Sequence, residues 1–284
     1  MTAENPYVPR AARIGWMRDE TRDVRTLGLQ LENGNGAEDF RWKPGQFAMY
    51  SVFGAGECAF TLANSPTRSE ANGHGTEVQC TFRTVGKVTH ALWSLQQGQT
   101  IGIRGPYGNT FDVEGWEGRH VAFIGGGIGM AALRAPLQHV LDHRDRYGDV
   151  TVLNGARTAE DLVYRTEAEE WAAARVDLVR TVDPGGETPE WDGRVGMLPD
   201  VFRELELGPQ DRVVVACGPP VMLHFLFQAL DEMGFEPHQV VTTLENKMKC
   251  AIGHCGRCNV GDTYLCTEGP VFSRDQLERL PDDL

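Results

Sequence analysis

The spacing of apolar and polar positions changes twice along this chain. Between Ile14 and Pro106, short apolar runs alternate with turns rich in glycine and proline. Thr26-Leu27-Gly28-Leu29-Gln30-Leu31 has period two and runs into Asn33-Gly34-Asn35-Gly36, a strand ending in a turn. The runs Pro44–Val52, Ala59–Pro66, Glu77–Val85 and Thr100–Pro106 read as further strands, with one short amphipathic helix at His90–Leu95. Many short strands and little helix predict a small antiparallel barrel. From Arg119 onward, strands alternate with helices. Strands are predicted at Arg119–Ile124, Asp149–Asn154, Val176–Val182 and Asp211–Cys217. Helices are predicted from Ala131 to about His143, from near Thr158, over Met197–Leu205 and over Val221–Met233. Pro136 should kink the first of these or mark a late start, and residues 183–195 read as a polar surface loop. This alternation predicts a parallel sheet with helices on both faces and ligands at the strands' carboxyl ends. The expected fold is therefore β + α/β. An arm covers residues 1–13, an antiparallel β-barrel 14–113, a parallel-sheet α/β domain 114–244, and a small loop domain with its tail 245–284.

The 284 residues suit two modest domains and an appendage. A net charge of −13 argues against a nucleic-acid partner, whose phosphates need a basic surface. No apolar run reaches the length of a membrane span, so no membrane role is expected. Met1–Tyr7 lacks the basic and apolar regions of a signal peptide. The cysteines are thus expected in a reducing cytoplasm, where clustered thiols more often bind metal than form disulfides.

Four of the seven cysteines, Cys250, Cys255, Cys258 and Cys266, are spaced C-x4-C-x2-C-x7-C. The first three follow the plant-type spacing of a [2Fe–2S] cluster. Four cysteines also suit a structural zinc site, in a zinc-containing flavin-binding module. Zinc ribbons pair two C-x2-C knuckles, whereas here Cys255–Cys258 is the single such pair.

Other candidate chemistry is local. Gly86-Lys87-Val88-Thr89 leads into a helix and could present backbone N–H groups to a phosphate, or Thr89 could simply cap that helix. Gly125-Gly126-Gly127-Ile128-Gly129 lies between a strand and a helix, as a pyrophosphate-binding turn requires. Arg157 ends the second strand of the α/β region without an obvious acid there, which leans toward a 2′-phosphate and NADP. Cys217 ends another strand and is either a ligand contact or a small buried side chain. Cys58 and Cys80 are expected as small buried hydrophobes.

Taken together, Gly86–Thr89, Gly125–Gly129 and Cys217-Gly218-Pro219-Pro220 resemble the ferredoxin–NADP reductase superfamily. The cysteine loop narrows the resemblance to its iron–sulfur branch. That branch holds the electron-transfer subunits of dihydroorotate dehydrogenase and anaerobic sulfite reductase and the gamma (diaphorase) subunit of cytoplasmic [NiFe] hydrogenases. Gly56–Pro66, Gly155–Thr158 and Met248-Lys249-Cys250 look most like the hydrogenase gamma subunit. The resemblance implies that Phe60, Thr61 and Leu62 line the FAD ring system, with the Thr61 hydroxyl near its reactive nitrogen. It implies that Gly86, Lys87, Val88 and Thr89 hold the FAD pyrophosphate, with Arg83 as an extra charge. Gly125, Gly126, Gly127, Ile128 and Gly129 would hold NAD(P)H, with Arg157, and Cys217, Gly218 and Pro219 would lie by the nicotinamide. Cys250, Cys255, Cys258 and Cys266 would ligate the [2Fe–2S] cluster. The implied activity is hydride exchange between NAD(P)H and FAD and single-electron exchange between FAD and the cluster. The implied partners are iron–sulfur and catalytic subunits of a hetero-oligomeric complex, although a free-standing reductase would need none. Cys58-Ala59-Phe60-Thr61 stands where many relatives have Arg-x-Tyr-Ser/Thr, and Ala132 where proline is common.

Overall fold

The computed structural model describes residues 5–31, 40–69 and 76–281. Strands β1 (Arg10–Asp19), β2 (Val24–Leu31), β3 (Phe47–Val52), β4 (Gly56–Thr61), β5 (Glu77–Arg83) and β6 (Thr100–Tyr107) form one antiparallel sheet. Its order is β4-β3-β6-β1-β2-β5, and it curls into a barrel whose open end is covered by helix α1 (Lys87–Trp93). The period-two runs explain the closure. Leu27, Leu29, Ala48, Tyr50, Val78, Cys80, Phe82, Ile101 and Ile103 all point into one core, each worth up to about 1.5–3 kcal/mol when fully buried. The strand expected from Ile14 begins at Arg10 instead, because residues 10–13 pair with Thr100–Ile103 of β6. The Asn33–Gly36 turn lies outside the described residues.

The second sheet contains β7 (His120–Gly126), β8 (Val150–Ala156), β9 (Val176–Val182), β10 (Arg194–Val195), β11 (Arg212–Cys217), β12 (Val240–Thr243) and β15 (Val271–Ser273). Its order is β10-β9-β8-β7-β11-β12-β15, parallel except for the last pair. The unbroken apolar strands reflect burial on both faces. Val121, Phe123, Val213 and Val215 enter one core, whereas Ala122, Ile124, Val214 and Ala216 enter the other. Helices α2 (Met130–Asp142), α3 (Ala168–Ala173), α4 (Leu198–Glu204) and α5 (Pro220–Glu232) cover the sheet. Helix α2 runs through Pro136 rather than starting after it. The helix expected near Thr158 is replaced by two single 3-10 turns, at Ala159–Asp161 and Arg165–Glu167, before the short α3. The reason is that Leu162, Val163 and Tyr164 turn inward and are buried, with Tyr164 at φ 58° and its hydroxyl bonded to Thr81 of the barrel. The polar 183–195 loop closes with β10 pairing beside β9.

The cysteine loop leaves β12, forms the two-residue strands β13 (Asn259–Val260) and β14 (Thr263–Tyr264), and returns as β15 to the sheet edge. Helix α6 (Arg274–Leu277) follows. Leu277 and Leu280 of this tail pack on the cysteine-loop core, and Arg274 is ion-paired to Asp231 of α5.

Candidate functional site

The candidate residues fall into three groups along one edge, where the barrel, the carboxyl ends of the parallel strands and the cysteine loop meet. The first group lies on β4 and the β5–α1 turn. Phe60 packs partly into the barrel core against Tyr50 and Phe82. The Thr61 hydroxyl is half-buried, 3.4 Å from the Gln46 carbonyl. Leu62 is fully buried in the core and its N–H donates to Gln46, so its side chain does not face the site. Gly86, not Thr89, is the N-cap of α1, and Thr89 sits at N3. There its Oγ accepts the N–H groups of Val85 and Gly86, both at 2.9 Å, which fixes the turn. A methyl built on Gly86 would meet nothing within 4 Å, Lys87 is exposed, and Val88 touches Gly56. Arg83 ends β5 just before this turn. Its Nε is buried without a hydrogen bond, although Asp23 Oδ2 lies 3.3 Å away. An open, glycine-capped turn with exposed Lys87 in it and the Asp23-paired Arg83 shortly before it offers backbone N–H groups and positive charge of the kind a flavin dinucleotide's pyrophosphate takes.

The second group is the glycine-rich turn Gly125–Gly129 after β7. Gly127 adopts φ +55°, and the nearest atom to a methyl built on it is an Arg83 Nη, 3.8 Å away, so the barrel reaches the loop. Gly129 is required by close packing: its methyl would stand 2.4 Å from the Cys217 carbonyl oxygen. That carbonyl joins Cys217-Gly218-Pro219 to Gly125–Gly129, with Cys217 registered opposite Gly125. Ile128 packs partly buried on the sheet core. The Cys217 thiol is buried, and Thr243 Oγ1 lies 3.2 Å from its sulfur. Burial pushes the thiol up to about 11, so it stays neutral at physiological pH. Arg157 is exposed at the end of β8, and the acid missing from that strand end comes from its neighbour. Asp183 follows β9, donates its N–H to Ala156 and faces the Arg157 charge. Nothing in the period of residues 150–157 marks Asp183; the register of β8 against β9 brings it there. Replacing Gly129 with alanine is expected to raise the Kd for NAD(P)H about tenfold or more, a loss of about 1.4 kcal/mol, while flavin content is retained. Fluorescence titration of the flavoprotein would measure both.

The third group is the sulfur loop. Ala251, Gly253 and Gly256 take φ +64°, +77° and +66°, winding the backbone so that amide N–H groups face sulfur. Gly253 N lies 3.2 Å from Cys266 Sγ, and His254 N and Cys255 N lie 3.3 and 3.4 Å from Cys250 Sγ. Burial opposes ionisation of Cys250, but the amides of Ile252, Cys255 and His254, with the Cys255 thiol, outweigh it and lower the thiol to about 7. Burial and the Cys258 sulfur beside it push Cys266 up to about 12, a mutual repulsion that bound metal cations would reverse. The four cysteines thus sit close enough to influence one another, Cys250 through Cys255 and Cys266 through Cys258 and Cys250. Among the described residues, no group of three or more His, Cys, Asp or Glu side chains, the loop cysteines included, is already gathered as a metal site. Cys58 and Cys80 take no part: both lie in or against the barrel core, and burial drives the Cys58 thiol up to about 12.

The loop is seated on β3 and β4 of the barrel. Cys258, Val260, Leu265 and Cys266 pack with Phe47 and Met49 of β3 and Ala59 of β4, two residues before Thr61. Arg104, 5% exposed, locks this seat. Its guanidinium holds both Glu57 oxygens at 2.9 and 2.6 Å and donates to the Lys249 and Cys250 carbonyls, each at 3.3 Å. Asn109 clamps the far end through the carbonyls of Glu268 and Val271 and the N–H of Val271.

An antiparallel barrel, a dinucleotide-type parallel sheet and a four-cysteine loop on their shared edge define a flavin- and iron–sulfur-dependent NAD(P)H oxidoreductase. Residues 123–227 match the oxidoreductase NAD-binding domain, and residues 245–278 match the iron–sulfur cluster binding domain of dihydroorotate dehydrogenase B. The chain is 34% identical to the sulfhydrogenase 1 gamma subunit of Pyrococcus furiosus, covering 99% of this chain and 96% of the relative. It is also 34% identical to a probable dihydroorotate dehydrogenase B electron transfer subunit of Methanothermobacter thermautotrophicus, covering 96% and 92%. A solved NADH-dependent reduced ferredoxin–NADP oxidoreductase shares the fold, with a TM-score of 0.74 and 23% identity over 96% of this chain and 90% of that one. The chain belongs to the family of FAD- and NAD(P)-dependent iron–sulfur electron-transfer subunits. Among the described residues, no helix is long and apolar enough to cross a membrane.

Proposed function

We propose that this chain is the gamma, NAD(P)H-handling subunit of a cytoplasmic [NiFe] hydrogenase. The observation that carries this reading is the near end-to-end similarity to the sulfhydrogenase 1 gamma subunit, with a second sulfhydrogenase gamma subunit of the same organism at 33% identity over 95% of the chain. The bound FAD links the two-electron chemistry of nicotinamide to the one-electron chemistry of an iron–sulfur cluster. The chain's own residues bind and align. Lys87 and Arg83 offer positive charge to the FAD pyrophosphate at the Gly86–Thr89 turn. Phe60 and Thr61 flank the flavin, the hydroxyl supplying a hydrogen bond. Gly125–Gly129 admit the NAD(P) pyrophosphate, and Arg157 stands at the adenosine end. Cys217, with Gly218 and Pro219, borders the nicotinamide with a neutral thiol that adds no repelling charge. Cys250, Cys255, Cys258 and Cys266 would hold the [2Fe–2S] cluster, which would supply one-electron exchange with iron–sulfur and catalytic partner subunits. No proton donor is required of this chain.

A second reading, the electron-transfer subunit of a dihydroorotate dehydrogenase, is favoured by the match of the cysteine loop to that enzyme's cluster domain. Mild purification of the native assembly, with nickel and iron analysis, separates the two. Nickel and hydrogen-dependent NAD(P)+ reduction are expected. A nickel-free assembly that oxidises dihydroorotate would overturn the hydrogenase reading.

A further inference from the structure

We infer that Arg134 and Gln138 are positioning residues for hydride exchange, fastening α2 to the chain that leaves β4 and so fixing the spacing of flavin and nicotinamide. This rests on the reading that places the flavin at Phe60–Thr61 and NAD(P)H at Gly125–Gly129, and it names residues outside both sites.

A ladder of polar contacts carries the argument. Arg134, Gln138 and Asp142 stand four residues apart on α2 and share one face of that helix. Each meets a successive stretch of the chain beyond β4. Arg134 Nη1 donates to the Ala63 carbonyl at 2.8 Å, and Gln138 Oε1 accepts the Ser65 N–H at 3.0 Å. Asp142 accepts the Thr67 hydroxyl at 2.5 Å and Arg68 Nη2 at 2.7 Å. The first two rungs are interior, since Arg134 is 5% exposed and Gln138 2%.

Both ends of this connection are short and stiff. Ala63 lies two residues past Thr61, and Arg134 five residues past Gly129. The N–H of Ala63 donates to the Gln79 carbonyl, and the Asn64 side chain bonds the Glu77 carbonyl and the Gln79 N–H. The segment is therefore a fixed part of the barrel. On the other side, Met130, Leu133, Leu137 and Val140 of α2 are buried in the sheet core. A methyl built on Gly125 would stand 2.5 Å from the Met130 sulfur, so a shift of α2 disturbs the turn. Hydride exchange breaks the C–H bond of reduced nicotinamide as the N–H bond of reduced flavin forms, both electrons moving with the hydrogen. Such a step tolerates little error in spacing: a misplacement of about 1 Å costs on the order of a hundredfold in rate. Losing a rung frees the two segments to drift while each domain keeps its own core.

The test uses the native complex with wild-type chain, with Gln138→Leu, which removes the acceptor at similar size, and with Cys80→Ala as a packing control. In Gln138→Leu, flavin reduction by NAD(P)H after rapid mixing is expected to slow at least about tenfold, with flavin content and the Kd for NAD(P)H within about twofold of wild type. The charge-transfer absorption of the flavin–nicotinamide pair, which reports their stacking without turnover, is expected to weaken with it. Cys80→Ala is expected to match wild type in both. The inference is overturned if Gln138→Leu keeps the wild-type rate or charge-transfer band, or if its rate falls only as flavin or nucleotide is lost. It is equally overturned if Cys80→Ala slows as much, since loosened packing would then be the cause. Should Gln138→Leu fail to fold, Gln138→Asn, too short by one methylene to reach Ser65, is judged by the same outcomes. Gly129→Ala tests the placement of the nucleotide separately. If that variant binds NAD(P)H like wild type, the placement fails and this inference with it. A Gly129→Ala defect beside an unaltered Gln138→Leu overturns this inference alone.

Discussion

Replacing Cys258 with alanine is expected to abolish the iron–sulfur absorption and electron delivery to partner subunits, while NAD(P)H still bleaches the flavin. Outer-shell partners of metal ligands are worth about 10–100-fold in metal affinity, and a direct ligand is expected to cost more. Cys258 is 2% exposed and stands in the apolar seam between the sulfur loop and β3–β4. Metal binding of this kind contributes directly to folding free energy, so residues 245–268 are expected to become protease-sensitive in the variant. Cys80→Ala is the contrasting control. Cys80 is fully buried in the barrel core, in a different apolar cluster from the loop cysteines Cys258 and Cys266. That change should lower stability modestly through a small cavity and leave the iron content untouched. Iron and labile-sulfide analysis beside the visible spectrum decides the matter. Iron retained in Cys258→Ala, or stoichiometric zinc in the wild type, would refute the ligand assignment.

Glu167→Gln is expected to destabilise the protein by about 3–5 kcal/mol at neutral pH, because it leaves a buried charge without its partner. Glu167 lies in the turn before α3 and accepts both Arg134 Nε contacts, at 3.0 and 2.9 Å, and Arg18 Nη2 at 2.9 Å. Arg134, on α2, also donates to the Ala63 carbonyl at 2.8 Å and to Gln79 at 2.7 Å. Arg18 continues to Glu20, which accepts Thr26 Oγ1 and the Tyr164 N–H. A connected polar network therefore ties α2 and the Tyr164 turn to the barrel. Burial alone would raise the Glu167 carboxyl, but the Arg134 charge and the Arg134 and Arg18 hydrogen bonds outweigh it and hold it below its ordinary value. A carboxyl depressed in the folded state contributes stability that is complete above the unfolded pKa, about 4.3. That contribution is lost as pH falls through the folded value. The gap between wild type and variant should thus be full at pH 7 and shrink in acid below about pH 4. Denaturant midpoints across that range measure it. A gap that stays constant down to pH 3 would show that the carboxylate charge is not the stabilising element.

Much of the architecture was legible because it depends on local periodicity. Period two marked the barrel strands, continuous apolar runs marked the doubly covered parallel strands, and cysteine spacing marked the metal loop. The misreadings came where a distant contact outweighed local preference. Thr158 looked like a helix start, yet Tyr164 is more stable buried against Thr81 with a left-handed backbone than exposed on a helix. Thr89 looked like an N-cap, but the chain places Gly86 there and uses the threonine one turn in. The resemblance set Leu62 beside the flavin, although just past β4 its side chain is wholly buried in the barrel core.

By itself, then, the sequence determined the elements, their order and the identity of the sulfur donors, since these depend on residues close together along the chain. Only the tertiary structure decided which strand edges meet. It put Asp183 beside Arg157 through strand register, Gly129 against the Cys217 carbonyl through helix packing, and the Cys250 carbonyl on Arg104 from 146 residues away. These contacts join residues far apart in sequence, so no local pattern can encode them. They exist because separate apolar clusters join distant segments, Val24 of β2 to the α/β core and the sulfur loop to Phe47, Met49 and Ala59 of the barrel.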